Sequence, residues 1–209
     1  LRAGQPPTGC RMSEAGRVCP LRYRYGAAAL ASAPEHTAET LYVIGGLYGN
    51  PFALDAVEAL AAAEAGPVRI VFNGDFNWFN VDDAGFAAIN RRALAHSAIL
   101  GNVEAELGEG GDEAGCGCAY PDSVDAETVA RSNRIHARLK ATAAHHPDIL
   151  AALDRLPMFM RWRVGPLTVG VVHGDADSLA GWGFDPARLD DAASRDWVDA
   201  CFERARVDV

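Results

Sequence analysis

Short apolar runs alternate along the chain with longer stretches in which apolar residues recur at every third or fourth position. The short runs predict buried β-strands at residues 41–44, 68–72 and 98–100. The recurring pattern predicts α-helices after Asn50-Pro51 and at residues 84–96, 125–144, 149–156 and 195–204. The early part of the chain therefore alternates between strand and helix.

The later part of the chain has a different pattern. Two apolar runs, 158–164 and 167–172, are joined by a tight Gly-Pro turn, which predicts a β-hairpin. Residues 1–40 carry scattered glycine and proline, so we expect an irregular N-terminal segment followed by a folded domain at 41–209. Alternating strands and helices followed by a hairpin indicate an α/β fold with a mixed sheet.

The composition narrows the classes of function. The 209 residues suggest one domain, and 19 Lys and Arg against 28 Asp and Glu give a formal charge of −9. This acidity argues against binding to nucleic acid or anionic membranes, whereas a small phosphorylated substrate stays compatible because a bound metal inverts the local charge. No apolar run reaches the roughly 18 residues of a membrane span. Residues 1–25 lack the apolar core of a secretory signal, so a cytoplasmic location is expected.

Polar side chains follow the predicted strands at the points where the strands end. Asp75 follows the second strand, Asn102 the third, and His173 the second strand of the hairpin. In open α/β sheets the carboxyl ends of the strands form the usual ligand site, so we expect these three side chains to converge. Their oxygen and nitrogen atoms suit a divalent metal ion, and the neighbouring glycines let the backbone approach a ligand closely.

The order of these turns resembles that of the calcineurin-like metallophosphoesterases, from about Leu41 to the end of the chain. That family carries Asp-x-His-Gly-Asn, Gly-Asp, Gly-Asn-His-Asp/Glu, a later His and a final Gly-His-x-His. By resemblance, Asp75 is the aspartate that bridges two metals, Asn102 is the asparagine ligand and His173 is the later histidine ligand. The pair Gly49-Asn50 and the helix after it resemble the end of the first motif.

The resemblance implies a fold, an activity and a cofactor. The fold is an α-β-β-α sandwich with mixed β-sheets, and the activity is hydrolysis of a phosphate ester in a small substrate. The cofactor is one or two divalent ions of iron, manganese or zinc, held by Asp75, Asn102 and His173. Asn102 and Tyr48 are the residues implied to act in catalysis, with Tyr48 or Asn77 orienting the substrate.

Several positions depart from the family pattern. Gly46 and Tyr48 stand where the first aspartate and histidine belong, and Val103 replaces the histidine of the third motif. The final motif is not found before Val209, so we expect the domain to continue beyond that residue. The retained ligands fit one metal position, and the other is lost or has substitute ligands. Candidates for such substitutes are Tyr48, Asn77, Glu104, Cys116 and Cys118.

These departures leave several functions open. The chain is either a metal-dependent hydrolase with a remodelled site or a phosphoesterase-fold protein without activity that serves as a binding or structural subunit. The same fold with cysteines in its site could also support a different metal chemistry. Fold alone does not decide among them.

The five cysteines form a separate question. Cys10, Cys19, Cys116 and Cys118 could bind one structural zinc ion, form disulfides or a redox pair, or remain free thiols. Cys201 lies in a helical pattern and is expected to be a small core residue.

Overall fold

The computed structural model describes residues 14–108 and 114–209. Within these ranges the chain forms six strands: β1 (Glu35–Ala38), β2 (Thr40–Ile44), β3 (Val68–Asn73), β4 (Ser97–Ile99), β5 (Phe159–Val164) and β6 (Leu167–Val172). It also forms seven α-helices: α1 (Ala28–Ala31), α2 (Pro51–Ala63), α3 (Asp83–Ala93), α4 (Asn102–Ala105), α5 (Ala126–Ala143), α6 (Pro147–Leu153) and α7 (Ala192–Ala205). Over the described residues, none of these helices has the length and apolar character needed to cross a bilayer.

The strands are arranged in two three-stranded sheets. β2, β3 and β4 are parallel and adjacent in that order, so their carboxyl ends share one edge. In the other sheet, β1 is parallel to β5, and β5 is antiparallel to β6. The predicted α/β fold with mixed sheets and the predicted hairpin are therefore confirmed.

The two sheets pack against each other through apolar side chains. Val71 of β3 and Ile99 of β4 form one buried cluster with Trp162 of β5 and Val171 of β6. This packing brings the end of β6 to the end of β3, where the His173 ring lies 2.7 Å from the carbonyl oxygen of Asn73.

Helices cover the outer face of each sheet. Because successive strand residues point to opposite faces, Phe72 faces away from the second sheet and packs among helices. It shares a buried cluster with Leu54 of α2, Phe86 of α3 and Leu139 of α5. Helices α1 and α7 cover the other sheet through a smaller cluster that includes Cys201, as expected for a core cysteine.

Helix α2 begins where the sequence predicts it. The side-chain oxygen of Asn50 accepts hydrogen bonds from the backbone N–H groups of Phe52 at 3.0 Å and Ala53 at 3.1 Å. Pro51 occupies the first turn, where its missing N–H costs nothing. This cap fixes the direction in which the chain leaves the turn after β2.

The structure differs from the sequence analysis near both ends of the described chain. Part of the segment expected to be irregular forms α1 and β1, and Tyr23 is buried. β1 reads Glu-His-Thr-Ala and is mostly exposed, so it carries no apolar run to reveal it. The sequence of residues 207–209 also predicts the start of a strand, but they form no regular strand, although Asp208 and Val209 hydrogen-bond to the backbone of β6.

Candidate functional site

The turns after β2, β3, β4 and β6 meet at one pocket with a volume of about 350 Å³. Tyr48, Asp75, Asn102 and His173 all line it. The structure thus brings together the three side chains proposed as metal ligands and the tyrosine proposed to act beside them. They converge because parallel strands end at the same edge and because the second sheet delivers β6 to that edge.

The three proposed ligands are in direct contact. His173 Nε2 lies 3.1 Å from Asn102 Oδ1 and 3.4 Å from Asp75 Oδ1. The other ring nitrogen, Nδ1, lies 2.7 Å from the carbonyl oxygen of Asn73, which can only accept a hydrogen bond. A neutral His173 therefore carries its proton on Nδ1 and directs the lone pair of Nε2 at two oxygen atoms.

The amide of Asn102 is oriented by the backbone near the cysteines. Its Nδ2 donates to the carbonyl oxygen of Cys116 at 2.9 Å and lies 3.5 Å from Cys118 Sγ. With the nitrogen engaged on that side, the amide oxygen is the atom that faces His173. Asn102 is also the first residue of α4, so the segment after β4 positions it directly.

Asp75 sits in a strained turn. Gly74 has φ +76° and Asp75 has φ +52°, a left-handed conformation that aspartate tolerates better than most residues. The turn directs the carboxylate at α4, where Oδ1 accepts the backbone N–H of Val103 at 3.0 Å. The same oxygen faces His173, so one carboxylate links two of the converging turns.

The electrostatics of this cluster favour a cation. Burial lowers the pKa of His173, but the adjacent Asp75 carboxylate and the hydrogen bond to Asn73 outweigh it and raise the pKa to about 9. Without a proton, Nε2, Asn102 Oδ1 and Asp75 Oδ1 would be three acceptor atoms facing one another. Either a proton or a metal ion satisfies them, so these donor atoms fit the divalent ion that the resemblance implies.

Glu104 connects the turns that carry Asp75 and Asn102 through backbone hydrogen bonds. Its Oε2 accepts the backbone N–H groups of Asp75 at 2.7 Å and Gly101 at 3.2 Å, and its Oε1 accepts that of Asn77 at 3.0 Å. Burial, followed by the nearby Asp75 charge, raises the pKa of Glu104 to about 7. Because its oxygens are already occupied, Glu104 positions Asp75 and Asn102 rather than replacing a lost ligand.

Asn77 has a structural role as well. Its Oδ1 lies 2.7 Å from Asn90 Nδ2, and its Nδ2 donates to Asn90 Oδ1 at 3.1 Å and Glu104 Oε1 at 3.2 Å. The side chain is fully buried. Its hydrogen-bonding capacity is used inside the protein, so the structure does not place it where it could orient a substrate.

The ring of Tyr48 lies next to Gly46. A Cβ atom at Gly46 would lie 3.1 Å from Cε2 of the Tyr48 ring and 3.4 Å from its hydroxyl oxygen. Both residues have positive φ, +57° for Gly46 and +52° for Tyr48. Burial, followed by the charge of Asp75, raises the pKa of Tyr48, so the phenol stays neutral and can donate a hydrogen bond.

The cysteines do not gather into one four-sulfur site among the described residues. Cys116 and Cys118 are joined by a disulfide, and Cys118 lines the pocket. The Cys19 thiol is free and lies 3.4 Å from Ser178 Oγ. The position of Cys10 falls outside the described residues.

The sequence analysis did not identify the aromatic wall of the pocket. Tyr120, Trp182 and Phe184 line it beside the ligand cluster. All three lie in loops that carry no periodic pattern, so only their position after Cys118 and after β6 could have drawn attention to them. Asp175 stabilises the loop after β6 by accepting hydrogen bonds from the backbone N–H groups of Ser178 and Gly183, each at 2.9 Å.

The glycines before the ligands are required by close packing. A Cβ atom at Gly74 would lie 2.5 Å from the Cα of Gly101 and 2.7 Å from His173 Nδ1. We expect Gly74→Ala to lower the free energy of unfolding by about 2–4 kcal/mol, because it adds overpacking to an unfavourable φ. Urea denaturation would measure this. Gly165→Ala is the matched control, since Gly165 has φ +57° but no neighbour within 4 Å, and an equal loss there would contradict the packing argument.

Neither the set of donor atoms nor the comparison with known proteins identifies the family of this chain. Within residues 14–108 and 114–209, no group of three or more His, Cys, Asp or Glu side chains is arranged to hold a metal ion. The cluster described above has two such residues and an asparagine. Comparison of the chain with protein-family models, curated proteins and solved structures gave no match.

Proposed function

We propose that this protein is a metal-dependent hydrolase of phosphate esters with a remodelled site that holds one divalent ion. The observation that carries the proposal is the convergence of His173 Nε2 on Asn102 Oδ1 at 3.1 Å and Asp75 Oδ1 at 3.4 Å. When His173 is not protonated, three acceptor atoms from three separate turns face one another, and a bound cation would satisfy all three.

The arrangement of the chain supports the same proposal. Two sheets pack face to face with helices on both outer faces, which is the order of layers in the α-β-β-α sandwich that the resemblance implies. The ligands follow β3, β4 and β6 in the order that the family motifs require. Both features agree with a metallophosphoesterase-like sandwich.

Each residue of the site has a separate proposed role. Asp75, Asn102 and His173 would hold the ion, which would supply Lewis-acid activation of the phosphoryl group and of water. Tyr48 lines the same pocket as a neutral phenol and would donate a hydrogen bond to a phosphoryl oxygen. Glu104 would fix the turns that carry Asp75 and Asn102 through its three backbone hydrogen bonds.

One observation favours the alternative of an inactive binding or structural subunit. The Tyr48 ring fills the space beside Gly46, where the family has the first of two metal-ligating side chains. A site that has lost those ligands can keep its fold without its chemistry.

Elemental analysis of protein purified without chelator distinguishes the two functions. We expect about one equivalent of iron, manganese or zinc in the wild type. In Asp75→Asn, which keeps an acceptor for the Val103 N–H, metal affinity should fall by more than the 10- to 100-fold typical of outer-shell changes. Hydrolysis of 4-nitrophenyl phosphate should fall with it.

Asp185→Asn is the matched control for charge, because Asp185 lines the same pocket but caps its own loop through the Ala187 N–H. It should keep its metal. A wild-type protein that binds no iron, manganese or zinc would overturn the hydrolase proposal and favour the binding subunit.

A further inference from the structure

The pocket above the ligand cluster has an aromatic wall built from separate parts of the chain. Tyr48 comes from the turn after β2, Tyr120 from the segment after Cys118, and Trp182 and Phe184 from the loop after β6. Tyr48 and Trp182 line the pocket and remain 47% and 37% exposed, so a ligand can reach them. Exposed aromatic rings gathered beside convergent polar groups are a usual feature of ligand sites.

The rings of this wall are held in place by hydrogen bonds at their edges. Trp182 Nε1 donates to the carbonyl oxygen of Cys118 at 3.0 Å, and the hydroxyls of Tyr120 and Ser132 are 3.0 Å apart. The Tyr120 and Trp182 rings lie 5.8 Å apart between centroids. Since their polar atoms bond to the protein, the ring faces are the parts left to meet a ligand, and little conformational entropy is lost on binding.

The carboxylates of the pocket limit the charge that the organic part of a ligand can carry. Among the described lining residues, the side chains with a carboxyl or imidazole group are Asp75, Asp185 and His173. The Asp75 and His173 groups belong to the ligand cluster, so Asp185 is the carboxylate of the lining that lies outside that cluster. A second phosphate there would meet a like charge, whereas an uncharged planar group would meet aromatic faces.

We propose that the pocket binds a phosphate ester with a single phosphate group and a planar aromatic ring as its organic part. The phosphate is directed to Asp75, Asn102 and His173, and the ring packs against Trp182 and Tyr120. This inference rests on the proposed function, because the phosphate is held through the metal site.

Isothermal titration calorimetry of the manganese-loaded protein tests the inference without relying on turnover. Methyl-, cyclohexyl- and phenylphosphonate share one anionic group and differ only in the organic part. We expect phenylphosphonate to bind at least about tenfold more tightly than either of the other two, as stacking on fixed aromatic rings predicts. Equal affinity for phenyl- and methylphosphonate, or for phenyl- and cyclohexylphosphonate, would overturn the proposal.

Variants separate the ring face of Trp182 from its structural hydrogen bond. Trp182→Ala should remove most of the preference for phenylphosphonate, whereas Trp182→Phe loses the bond to Cys118 but should keep the preference. Phe52→Ala, at a ring that is 80% exposed outside this pocket, should leave it unchanged. A preference that survives Trp182→Ala would also overturn the assignment of the wall.

The two proposals fail in different ways. If the protein binds no iron, manganese or zinc, the proposed function fails before any phosphonate is added. If manganese binds and the three phosphonates bind alike, the metal site stands and only the aromatic specificity is wrong.

Discussion

Glu104→Ala is expected to lower the free energy of unfolding by about 3–4 kcal/mol and to disorganise the metal site. The carboxylate is fully enclosed and accepts backbone N–H groups of Asp75, Asn77 and Gly101 at 2.7 to 3.2 Å. Removing it leaves three buried donors without an acceptor, at about 1–3 kcal/mol each before relaxation. Urea denaturation followed by circular dichroism would measure the loss.

Two other variants show whether this effect comes from the acceptor geometry. Glu104→Gln keeps one acceptor oxygen but places an NH₂ group where the other oxygen was, so the backbone donors on that oxygen lose their acceptor. It should therefore lose about half as much stability as Glu104→Ala. Glu127→Ala removes an exposed carboxylate from the first turn of α5 and should change stability by less than about 0.5 kcal/mol. If Glu104→Ala is no more destabilising than Glu127→Ala, Glu104 does not organise the turns.

The fold could be predicted wherever a local pattern reflects burial. β3 reads Val-Arg-Ile-Val-Phe-Asn, and its three central apolar residues are buried on both faces, so the run itself indicates a strand. The start of α2 is encoded locally, because Asn50 and Pro51 cap and begin it. β1 could not be predicted, because its four residues are mostly exposed and its partner strand β5 lies more than 120 residues away.

The site could be predicted in part for the same reason. Asp75, Asn102 and His173 each follow a strand closely, so knowing where strands end was enough to expect them at one edge. The role of Glu104 depends on three N–H groups that only the folded turns bring together, and its residue type alone suggested a ligand. The aromatic wall depends on loops whose paths no periodic pattern indicates.

The contact between Tyr48 and Gly46 joins the two positions at which the turn after β2 departs from the motif of the proposed family. A side chain at Gly46 would press against the Tyr48 ring, so the two positions are coupled. Gly46 has φ +57° and Tyr48 has φ +52°, conformations that aspartate and histidine enter more readily than most residues. The backbone of the turn is therefore compatible with aspartate at position 46 and histidine at position 48.

Replacing both residues, Gly46→Asp together with Tyr48→His, is expected to raise the metal content from about one to about two equivalents per chain. The double change removes the ring that blocks a side chain at position 46 and adds a carboxylate and an imidazole to the pocket that already contains Asp75. Gly46→Asp alone should gain no metal, because its Cβ would lie 3.1 Å from the Tyr48 ring. Elemental analysis of the wild type and the two variants would measure this. One equivalent in all three would show that the turn after β2 does not contribute to the metal site, while a second equivalent in the double variant alone would show that this turn can hold a second metal ion.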